Sequence, residues 1–312
     1  MSVSRRKFIG QSVLGLAAFS IVPRHVLGKG FLAPSDQLTK AIIGTGGMGR
    51  GHIPYAGTRV VAMCDVDKKN LQLGLDKVEK GVKSFHDYRE MIQLPEVDIV
   101  HVATPPHWHG IMAADAARAG KDIWCEKPMT RTIAEAQEVV DAAKKSNRVM
   151  SVGVQSMADP TWTEAYNYVR SGKLGKVFQG QTSYYRNYLG GQWRYYPITK
   201  EMNPKTIDWE MFLGNKFECA GAKIGPSSKE VPFDRAVWAQ WRCYWPFGGG
   251  MFTDLFVHQT THLISAMGVR YPARVIGGGG IYLEYDGRDV PDVATIVADY
   301  DEGYAILEFI GE

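Results

Sequence analysis

The chain has 312 residues, 45% of them hydrophobic, which is enough for a sizeable core divided between two domains. It carries 36 basic and 33 acidic residues, and four of the basic residues lie within residues 1–28, so the remainder is nearly neutral. A nearly neutral chain gives no reason to expect a nucleic-acid partner. Beyond residue 28 no apolar run is long enough to span a bilayer, so no stable membrane span is expected in the mature protein.

Residues 1–28 have the pattern of an export signal. Arg5 and Arg6 precede an apolar stretch over residues 8–22, which is short for a membrane span, and small residues follow near Gly28. The segment resembles a twin-arginine signal, and an uncleaved N-terminal anchor is the alternative. This resemblance implies a route that exports proteins already folded. We therefore expect a cofactor bound before export and a periplasmic or extracellular mature protein.

Residues 38–65 are the stretch around which the rest of the chain is organised. The apolar run Ala41–Ile43 predicts a buried strand, and a Gly-x-Gly-x-x-Gly pattern follows it at once. The first glycine permits a tight turn, the second lets the backbone approach a pyrophosphate, and the third lets a helix pack on its strand. The predicted cofactor contacts in this turn are Gly44, Gly46, Gly47, Met48 and Gly49.

Asp65 completes this predicted dinucleotide site. It lies 21 residues after Gly44, just past the strand-like run 60–63. At this place a carboxylate accepts hydrogen bonds from the ribose hydroxyls and repels a 2′-phosphate, so the sequence favours NAD over NADP. Lys68 and Lys69 are close along the chain and leave NADP as the alternative.

Strands and helices continue to alternate after Asp65, which predicts a doubly wound parallel sheet, the Rossmann fold, over residues 36–155. The predicted helices lie at residues 69–79, 111–119 and 133–145, and the predicted strands at residues 97–103, 121–125 and 148–154.

Two loops should border the cofactor, because ligands of doubly wound sheets bind beyond the carboxyl ends of the strands. The loop after the predicted strand 97–103 supplies Thr104, Pro105 and His109. The loop after the predicted strand 121–125 supplies Glu126 and Lys127. All five residues are therefore predicted cofactor contacts.

Residues 156–312 are expected to form a second domain that binds the substrate. Strands are predicted at residues 273–276, 281–285, 294–300 and 304–309, separated by turns rich in Gly and Asp. Such a sheet offers a flat surface, and we expect a homo-oligomer formed through it. The four cysteines show no Cys-x-x-Cys spacing and are expected to be structural thiols, with a Cys219–Cys243 disulfide left open.

Asp254 and His258 are four residues apart, so a helix would present both on one face to one substrate. His262 follows at the next step of four, where it is a further candidate substrate contact. A carboxylate with two histidines is also adequate for a divalent ion, so a metal site formed by Asp254, His258 and His262 is the alternative.

Aromatic residues are dense between residues 184 and 247, and arginines are interleaved with them. Flat rings with polar edges suit carbohydrate rings, and arginines can bind hydroxyls or a carboxylate. The arginines concerned are Arg186, Arg194, Arg235 and Arg242. Arg242 and Tyr244 are the preferred substrate contacts, because they lie just before the glycine-rich turn at Gly248 that leads to Asp254. Aromatic packing of irregular loops is the alternative.

Four motifs in this order resemble the Gfo/Idh/MocA oxidoreductase family, named after glucose-fructose oxidoreductase, inositol dehydrogenase and a rhizopine-catabolism protein. They are the glycine turn, the Thr104-Pro105 loop with His109, Glu126-Lys127-Pro128, and Gly248-Gly249-Gly250-x-x-x-Asp254-x-x-x-His258. The resemblance implies a Rossmann domain followed by an α/β domain with a large open, mostly antiparallel sheet. Family members commonly run longer, so a truncated second domain is expected here.

The resemblance also implies roles for the three predicted catalytic residues. Lys127 would lie beside the nicotinamide and the substrate, where an ammonium stabilises a developing alkoxide. His258 would be the general base, and Asp254 would orient the substrate or the imidazole. One departure weakens this transfer: the family often has an acidic residue three positions after the histidine, where this chain has Thr261.

These observations together predict an exported oxidoreductase with tightly bound NAD that acts on a sugar, cyclitol or glycoside hydroxyl. An NAD-dependent glycosidase of the same superfamily is one alternative. A metal-dependent hydrolase or lyase is another, and a non-catalytic sugar-binding protein is the third.

Overall fold

The computed structural model of the protein describes residues 36–228 and 231–311, and for residues 307–310 it describes the backbone only. The predicted signal at residues 1–28 lies outside the described residues. Asp36 to Leu38 and Tyr55 to Arg59 belong to a small unit, in which the N–H of Leu38 donates to the carbonyl of Gly57 at 3.1 Å. The other described residues belong to one larger unit.

The first sheet has six strands in the order β3-β2-β1-β4-β5-β6. Its strands are β1 (Leu38–Ile43), β2 (Thr58–Cys64), β3 (Lys83–Phe85), β4 (Ile99–Val102), β5 (Asp122–Glu126) and β6 (Met150–Gly153). The neighbours pair in parallel, with Lys40 of β1 opposite Ile99 of β4. The order reverses between β1 and β4, which is the crevice where doubly wound sheets bind ligands. The predicted Rossmann sheet is confirmed.

Five helices accompany this sheet. They are α1 (Gly47–Gly51), α2 (Lys68–Leu75), α3 (Tyr88–Met91), α4 (His109–Arg118) and α5 (Ile133–Lys145), with a 3₁₀ turn at Pro106–Trp108 before α4. α5 has the predicted bounds, because the Thr132 hydroxyl caps its first turn by accepting from the N–H of Glu135 at 3.1 Å. α2 ends at Leu75, four residues before the predicted end.

A second sheet has the order β10-β11-β12-β7, and a separate short hairpin is formed by β8 and β9. These strands are β7 (Gln179–Tyr185), β8 (Glu218–Cys219), β9 (Ala222–Lys223), β10 (Arg274–Gly280), β11 (Val293–Tyr300) and β12 (Tyr304–Gly311). β11 pairs antiparallel with both of its neighbours, and β12 pairs in parallel with β7. The predicted mostly antiparallel sheet is therefore confirmed.

The remaining helices are α6 (Pro160–Arg170), α7 (Trp209–Leu213), α8 (Arg235–Ala239), α9 (Gly250–Asp254) and α10 (Phe256–Met267), with a 3₁₀ turn at Trp241–Cys243. The end of α10 packs on the second sheet through Met267, which shares a buried cluster with Ala298 and Ile306. Its start shares another cluster through Phe256, with Met251 of α9 and Ala294 of β11. These contacts fix α9 and α10, which carry Asp254 and His258.

Two local predictions in this part are wrong. No strand forms at residues 281–285, because the buried carboxylate of Asp292 accepts from the backbone N–H groups of Tyr282, Leu283 and Glu284 at 2.6–3.1 Å. These N–H groups are thus withdrawn from any strand pairing. The helix expected to carry Asp254 and His258 together is divided at Leu255, where φ is −112°.

Two further predictions, on the cysteines and on membrane spans, can be compared with the described residues. Cys64, Cys125, Cys219 and Cys243 are all buried and free, so the Cys219–Cys243 disulfide is not formed. Within residues 36–228 and 231–311, every helix is too short or too polar to cross a bilayer.

Candidate active site

One cavity of about 790 Å³ extends from the glycine turn to α10. The loops that follow β1, β2, β4 and β5 form one end of it, and side chains from residues 184–262 form the other. Most of the predicted site residues line this cavity, namely Gly44, Gly46, Gly47, Met48, Asp65, Thr104, Pro105, Glu126, Lys127, Arg242, Asp254, His258 and His262. Gly49, His109 and Tyr244 are predicted site residues that do not line it.

The glycine turn has the shape that a dinucleotide requires. Gly44 has φ of +84°, and a Cβ there would lie 2.7 Å from the carbonyl oxygen of Ala103. A Cβ on Gly49 would lie 1.9 Å from the carbonyl oxygen of Gly44, so this residue allows close packing, as predicted, and does not face the cavity. Gly46 and Gly47 have no atom within 4 Å of a Cβ position, so their faces are open to a ligand.

Asp65 is held in place at the end of β2. Its Oδ2 accepts from the N–H of Thr45 at 2.7 Å and from the Thr45 hydroxyl at 3.0 Å, and its Oδ1 accepts from the N–H of Asp67 at 2.8 Å. A carboxylate has about four acceptor positions, so Oδ1 retains one for a ribose hydroxyl. Burial raises the pKa of Asp65 to about 6, although the backbone hydrogen bonds oppose this shift.

His109 connects the two loops that were predicted to border the cofactor. It is buried at the start of α4, where Nδ1 lies 2.6 Å from the carbonyl oxygen of Pro128 and Nε2 lies 2.8 Å from that of Thr104. Burial lowers its pKa below the usual value. His109 is therefore a positioning residue for both loops and does not line the cavity.

Glu126 reaches the cavity at the end of β5 but is already paired. Its Oε1 lies 2.7 Å from Nε2 of His52, which follows the glycine turn. His101 lies beside them, with its ring centroid 4.2 Å from that of His52. The ligand atoms of these three residues lie within 4.8 Å of one another, a convergence of potential metal ligands that the sequence analysis did not find.

Lys127 and Arg242 meet at one buried carboxylate, that of Asp254. The Lys127 ammonium donates to the carbonyl oxygen of Asp254 at 3.0 Å and to Oδ1 at 3.3 Å, and Nε of Arg242 donates to Oδ2 at 3.2 Å. Burial by itself would raise the pKa of Asp254, but the two cations hold it below its usual value. Asp254 therefore stays ionised and orients two cations; within the described residues it makes no hydrogen bond with His258.

His258 presents an imidazole that makes no hydrogen bond with any described residue. Burial, followed by the charge of Lys127, lowers its pKa to about 4, so the ring is neutral at pH 7 and can accept a proton. His262 differs, because its Nε2 is 3.1 Å from the carbonyl oxygen of Gln155 and its ring stacks on Trp162 at 4.4 Å.

The alternative metal site at Asp254, His258 and His262 is not assembled, since their ligand atoms do not converge in the part of the chain that the structure describes. Asp254 is occupied by two cations instead.

The aromatic and arginine-rich segment divides into lining and supporting residues. Arg186 and Arg242 line the cavity, whereas Arg194 pairs with Asp286 at 2.6 Å and Arg235 donates to the carbonyl of Met202 at 2.7 Å. The predicted substrate contact Tyr244 does not line the cavity and packs against two apolar clusters. Seven other rings of the segment line the cavity, namely Tyr184, Trp193, Tyr195, Tyr196, Phe212, Trp238 and Trp241.

Five further polar residues that the sequence did not indicate line the cavity, namely Asn70, His86, Gln155, Ser156 and Gln259. Asn70 lies in α2, where its Oδ1 accepts from Arg50 at 3.3 Å. Gln259 is adjacent to His258, and its buried Oε1 has no hydrogen-bond partner among the described residues. Adjacent residues on a helix point about 100° apart, so proximity to His258 in the sequence gave no signal for Gln259.

Residues 38–154 match the model of the GFO_IDH_MocA family, an oxidoreductase family with an NAD-binding Rossmann fold. Glycosyl hydrolase family 109 protein 2 of Shewanella sp. (strain ANA-3) is 29% identical over 246 residues, which are 73% of this chain and 49% of that protein. The chain thus spans about half the length of the curated relatives it matches.

Two solved structures resemble this one in fold. The WlbA dehydrogenase of Chromobacterium violaceum, solved with NADH and UDP-GlcNAcA, has a TM-score of 0.65 and 16% identity over 94% of this chain and 70% of that one. The aldose-aldose oxidoreductase of Caulobacter crescentus, solved with glycerol, has a TM-score of 0.64 and 22% identity over 88% of this chain and 70% of that one. The two structures confirm the fold class, and the match to an NAD-binding family confirms NAD as the cofactor.

Proposed function

We propose, from the match of residues 38–154 to the model of the Gfo/Idh/MocA oxidoreductase family, that the chain is an NAD-dependent oxidoreductase acting on a hydroxyl of a sugar, cyclitol or glycoside. The observation that carries the proposal is the continuity of one cavity, which reaches from Asp65 to a neutral imidazole and an ammonium at its other end. Aromatic rings at that end supply flat apolar surfaces that suit a carbohydrate.

The cofactor end of the cavity fits NAD. The open faces of Gly46 and Gly47 leave room for the pyrophosphate, and the remaining acceptor position of Asp65 serves a ribose hydroxyl. When bound, NAD supplies an acceptor for the hydride that leaves the hydroxyl-bearing carbon.

The chain's own residues handle the proton. Neutral His258 accepts the hydroxyl proton, since its ring nitrogens are not engaged elsewhere among the described residues. The Lys127 ammonium has two hydrogen bonds to Asp254 and one N–H left, which stabilises the substrate oxygen as its proton leaves. Asp254 keeps Lys127 and Arg242 in position.

An NAD-dependent glycosidase is the second candidate, and the names of the curated relatives favour it. In that case oxidation and reduction cancel over the cycle, one water is consumed, and the net products are the free sugar and the released aglycone.

We further propose that residues 1–28 direct export by the twin-arginine route, that the mature protein is periplasmic or extracellular, and that it forms a homo-oligomer through the second sheet. Free NAD would be scarce outside the cytoplasm, so we propose that the cofactor stays bound between turnovers. In the oxidoreductase case a second sugar substrate then takes the hydride back from the bound cofactor.

The test is to purify the protein without added cofactor, denature it and measure the dinucleotide released. The native protein is then offered free sugars and 4-nitrophenyl glycosides with no NAD supplied, and NADH and nitrophenolate are both followed. We expect near-stoichiometric dinucleotide and many turnovers without accumulation of NADH. Nitrophenolate release would select the glycosidase, whereas strict dependence on added NAD with stoichiometric NADH would establish an ordinary dehydrogenase and overturn the bound-cofactor proposal.

A further inference from the structure

The substrate end of the cavity holds more positive than negative charge. Three cationic side chains line it, those of Lys127, Arg186 and Arg242. The carboxylate at this end is Asp254, whose two oxygens are already shared between Lys127 and Arg242. The other two lining carboxylates are bound elsewhere, Asp65 to backbone N–H groups and Glu126 to His52.

Arg186 has no acidic partner among the described residues. Its Nε donates to the Tyr184 hydroxyl at 2.8 Å and Nη1 donates to the Tyr195 hydroxyl at 3.2 Å, both of which are neutral groups. Nη2 of Arg186 donates to no described residue. This leaves one edge of the guanidinium for a ligand.

Arginines with well-shielded side chains outside the cavity differ from Arg186, because they form salt bridges with carboxylates. Arg194 and Arg288 both pair with Asp286, at 2.6 and 2.9 Å. Arg131 lies 3.6 Å from Glu135. These shielded arginines each form a salt bridge with a carboxylate, whereas Arg186, which faces the cavity, forms none among the described residues and is reached by the charge of Asp254 only from beyond salt-bridge distance.

Arg186 and Arg242 line the same cavity and lie beside the same pair of neighbouring tyrosine rings. Tyr195, which accepts from Arg186, has its ring centroid 4.8 Å from that of Tyr196, and the Arg242 guanidinium lies 5.3 Å from the Tyr196 ring centroid. Arg242 also lies 4.1 Å over the Trp241 ring and uses only Nε toward Asp254, so its Nη groups remain available. Two guanidinium groups beside aromatic rings match an anionic group attached to a sugar ring.

We propose that the substrate is a carbohydrate that carries a negatively charged group, bound by Arg186 and Arg242. The proposal rests on the proposed function and narrows it from sugars in general to acidic sugars. A uronic-acid carboxylate and a sulfate ester both have the required planar or triangular array of acceptor oxygens, and the test separates them.

The experiment measures binding by calorimetry to the protein carrying its bound cofactor. The probes are matched methyl hexopyranosides in the gluco, galacto and manno series, each as the neutral sugar, the uronide and the 6-sulfate. We expect one acidic series to bind at least about tenfold more tightly than its neutral counterpart, with the preference weakening as salt is raised. A uronide preference identifies the carboxylate, and a sulfate preference identifies the ester.

Variants test whether Arg186 causes the preference. Arg186→Gln should remove it, Arg186→Lys should keep part of it, and Arg274→Gln, which makes the same charge change at an exposed site on β10, should leave it intact. Equal or tighter binding of neutral sugars, or an acid preference that survives Arg186→Gln, would overturn this inference and leave the proposed function standing. No binding of neutral or acidic sugars at all would overturn both.

Discussion

The two ends of the cavity are built in different ways. At the cofactor end, Gly44, Thr45, Asp65 and Asp67 lie within 24 consecutive residues and are held mainly by backbone hydrogen bonds. At the substrate end, Lys127, Arg242 and Asp254 come from separate parts of the chain and are held by charge. Backbone hydrogen bonds give the cofactor end a fixed geometry. The geometry of the substrate end depends instead on the salt bridges that the two oxygens of Asp254 form with Lys127 and Arg242.

Removing the proposed base tests the substrate end and should have the largest effect. His258→Gln keeps the size and polarity of the side chain but loses the titratable ring, so we expect kcat to fall about a hundredfold or more. Bound dinucleotide should be unchanged, because the cofactor end does not involve this residue.

His262→Gln is the matched comparison, since the His262 ring already engages Gln155 and Trp162. We expect it to reduce turnover much less than His258→Gln. If His258→Gln retains parental turnover while His262→Gln does not, the assignment of the base must move to His262.

Neutralising Asp65 tests the cofactor end and should have an intermediate effect. In Asp65→Asn the ribose hydroxyls of NAD lose a charged hydrogen-bond acceptor, and the 2′-phosphate of NADP is no longer repelled by a negative charge. The ratio of NAD to NADP affinity should therefore fall about tenfold. Affinities measured for both dinucleotides on protein stripped of cofactor give this ratio.

Asp67→Asn is the matched control for this change, because asparagine is as good a helix cap as aspartate and α2 needs that cap. Its ratio should stay at the parental value. A proportional loss of both dinucleotides in Asp65→Asn would mean that Asp65 supports the turn without selecting the cofactor.

The smallest expected effect is the pH dependence of NAD binding. The pKa of Asp65 is raised to about 6, so the carboxyl is ionised above that pH and protonated below it. The ribose hydroxyls need the ionised form, so NAD affinity should fall as the pH decreases, by roughly twofold between pH 7 and pH 6. A flat profile in the parent, or the same slope in Asp65→Asn, would exclude Asp65 as the cause.

The difference between the two ends also explains what the sequence could predict. The glycine turn and Asp65 were predictable, because a strand, a turn and a helix of standard size determine how far apart they lie. α5 was predictable to the residue, because Thr132 caps it through a local hydrogen bond.

The errors arose where distant residues override local pattern. Residues 281–285 have the pattern of a strand, but the carboxylate of Asp292 accepts hydrogen bonds from backbone N–H groups of this run, which are then not available for strand pairing. Tyr244 was placed at the substrate by its nearness to Gly248 in the sequence; in the fold its ring packs against two apolar clusters and does not line the cavity, so its contact with the substrate stays a prediction. Arg186 was one of four candidate arginines. Only the fold distinguishes it from Arg194, which forms a salt bridge with Asp286.

His109 has a consequence for how the rim of the cavity is held together. Its two ring nitrogens each face a carbonyl oxygen, that of Pro128 at 2.6 Å and that of Thr104 at 2.8 Å. Burial lowers the pKa of this ring, whereas the two carbonyl oxygens raise it; a neutral imidazole has one N–H to donate and an imidazolium has two. The protonation state and tautomer of a residue outside the cavity therefore decide which of the two loops is bonded, and whether both are.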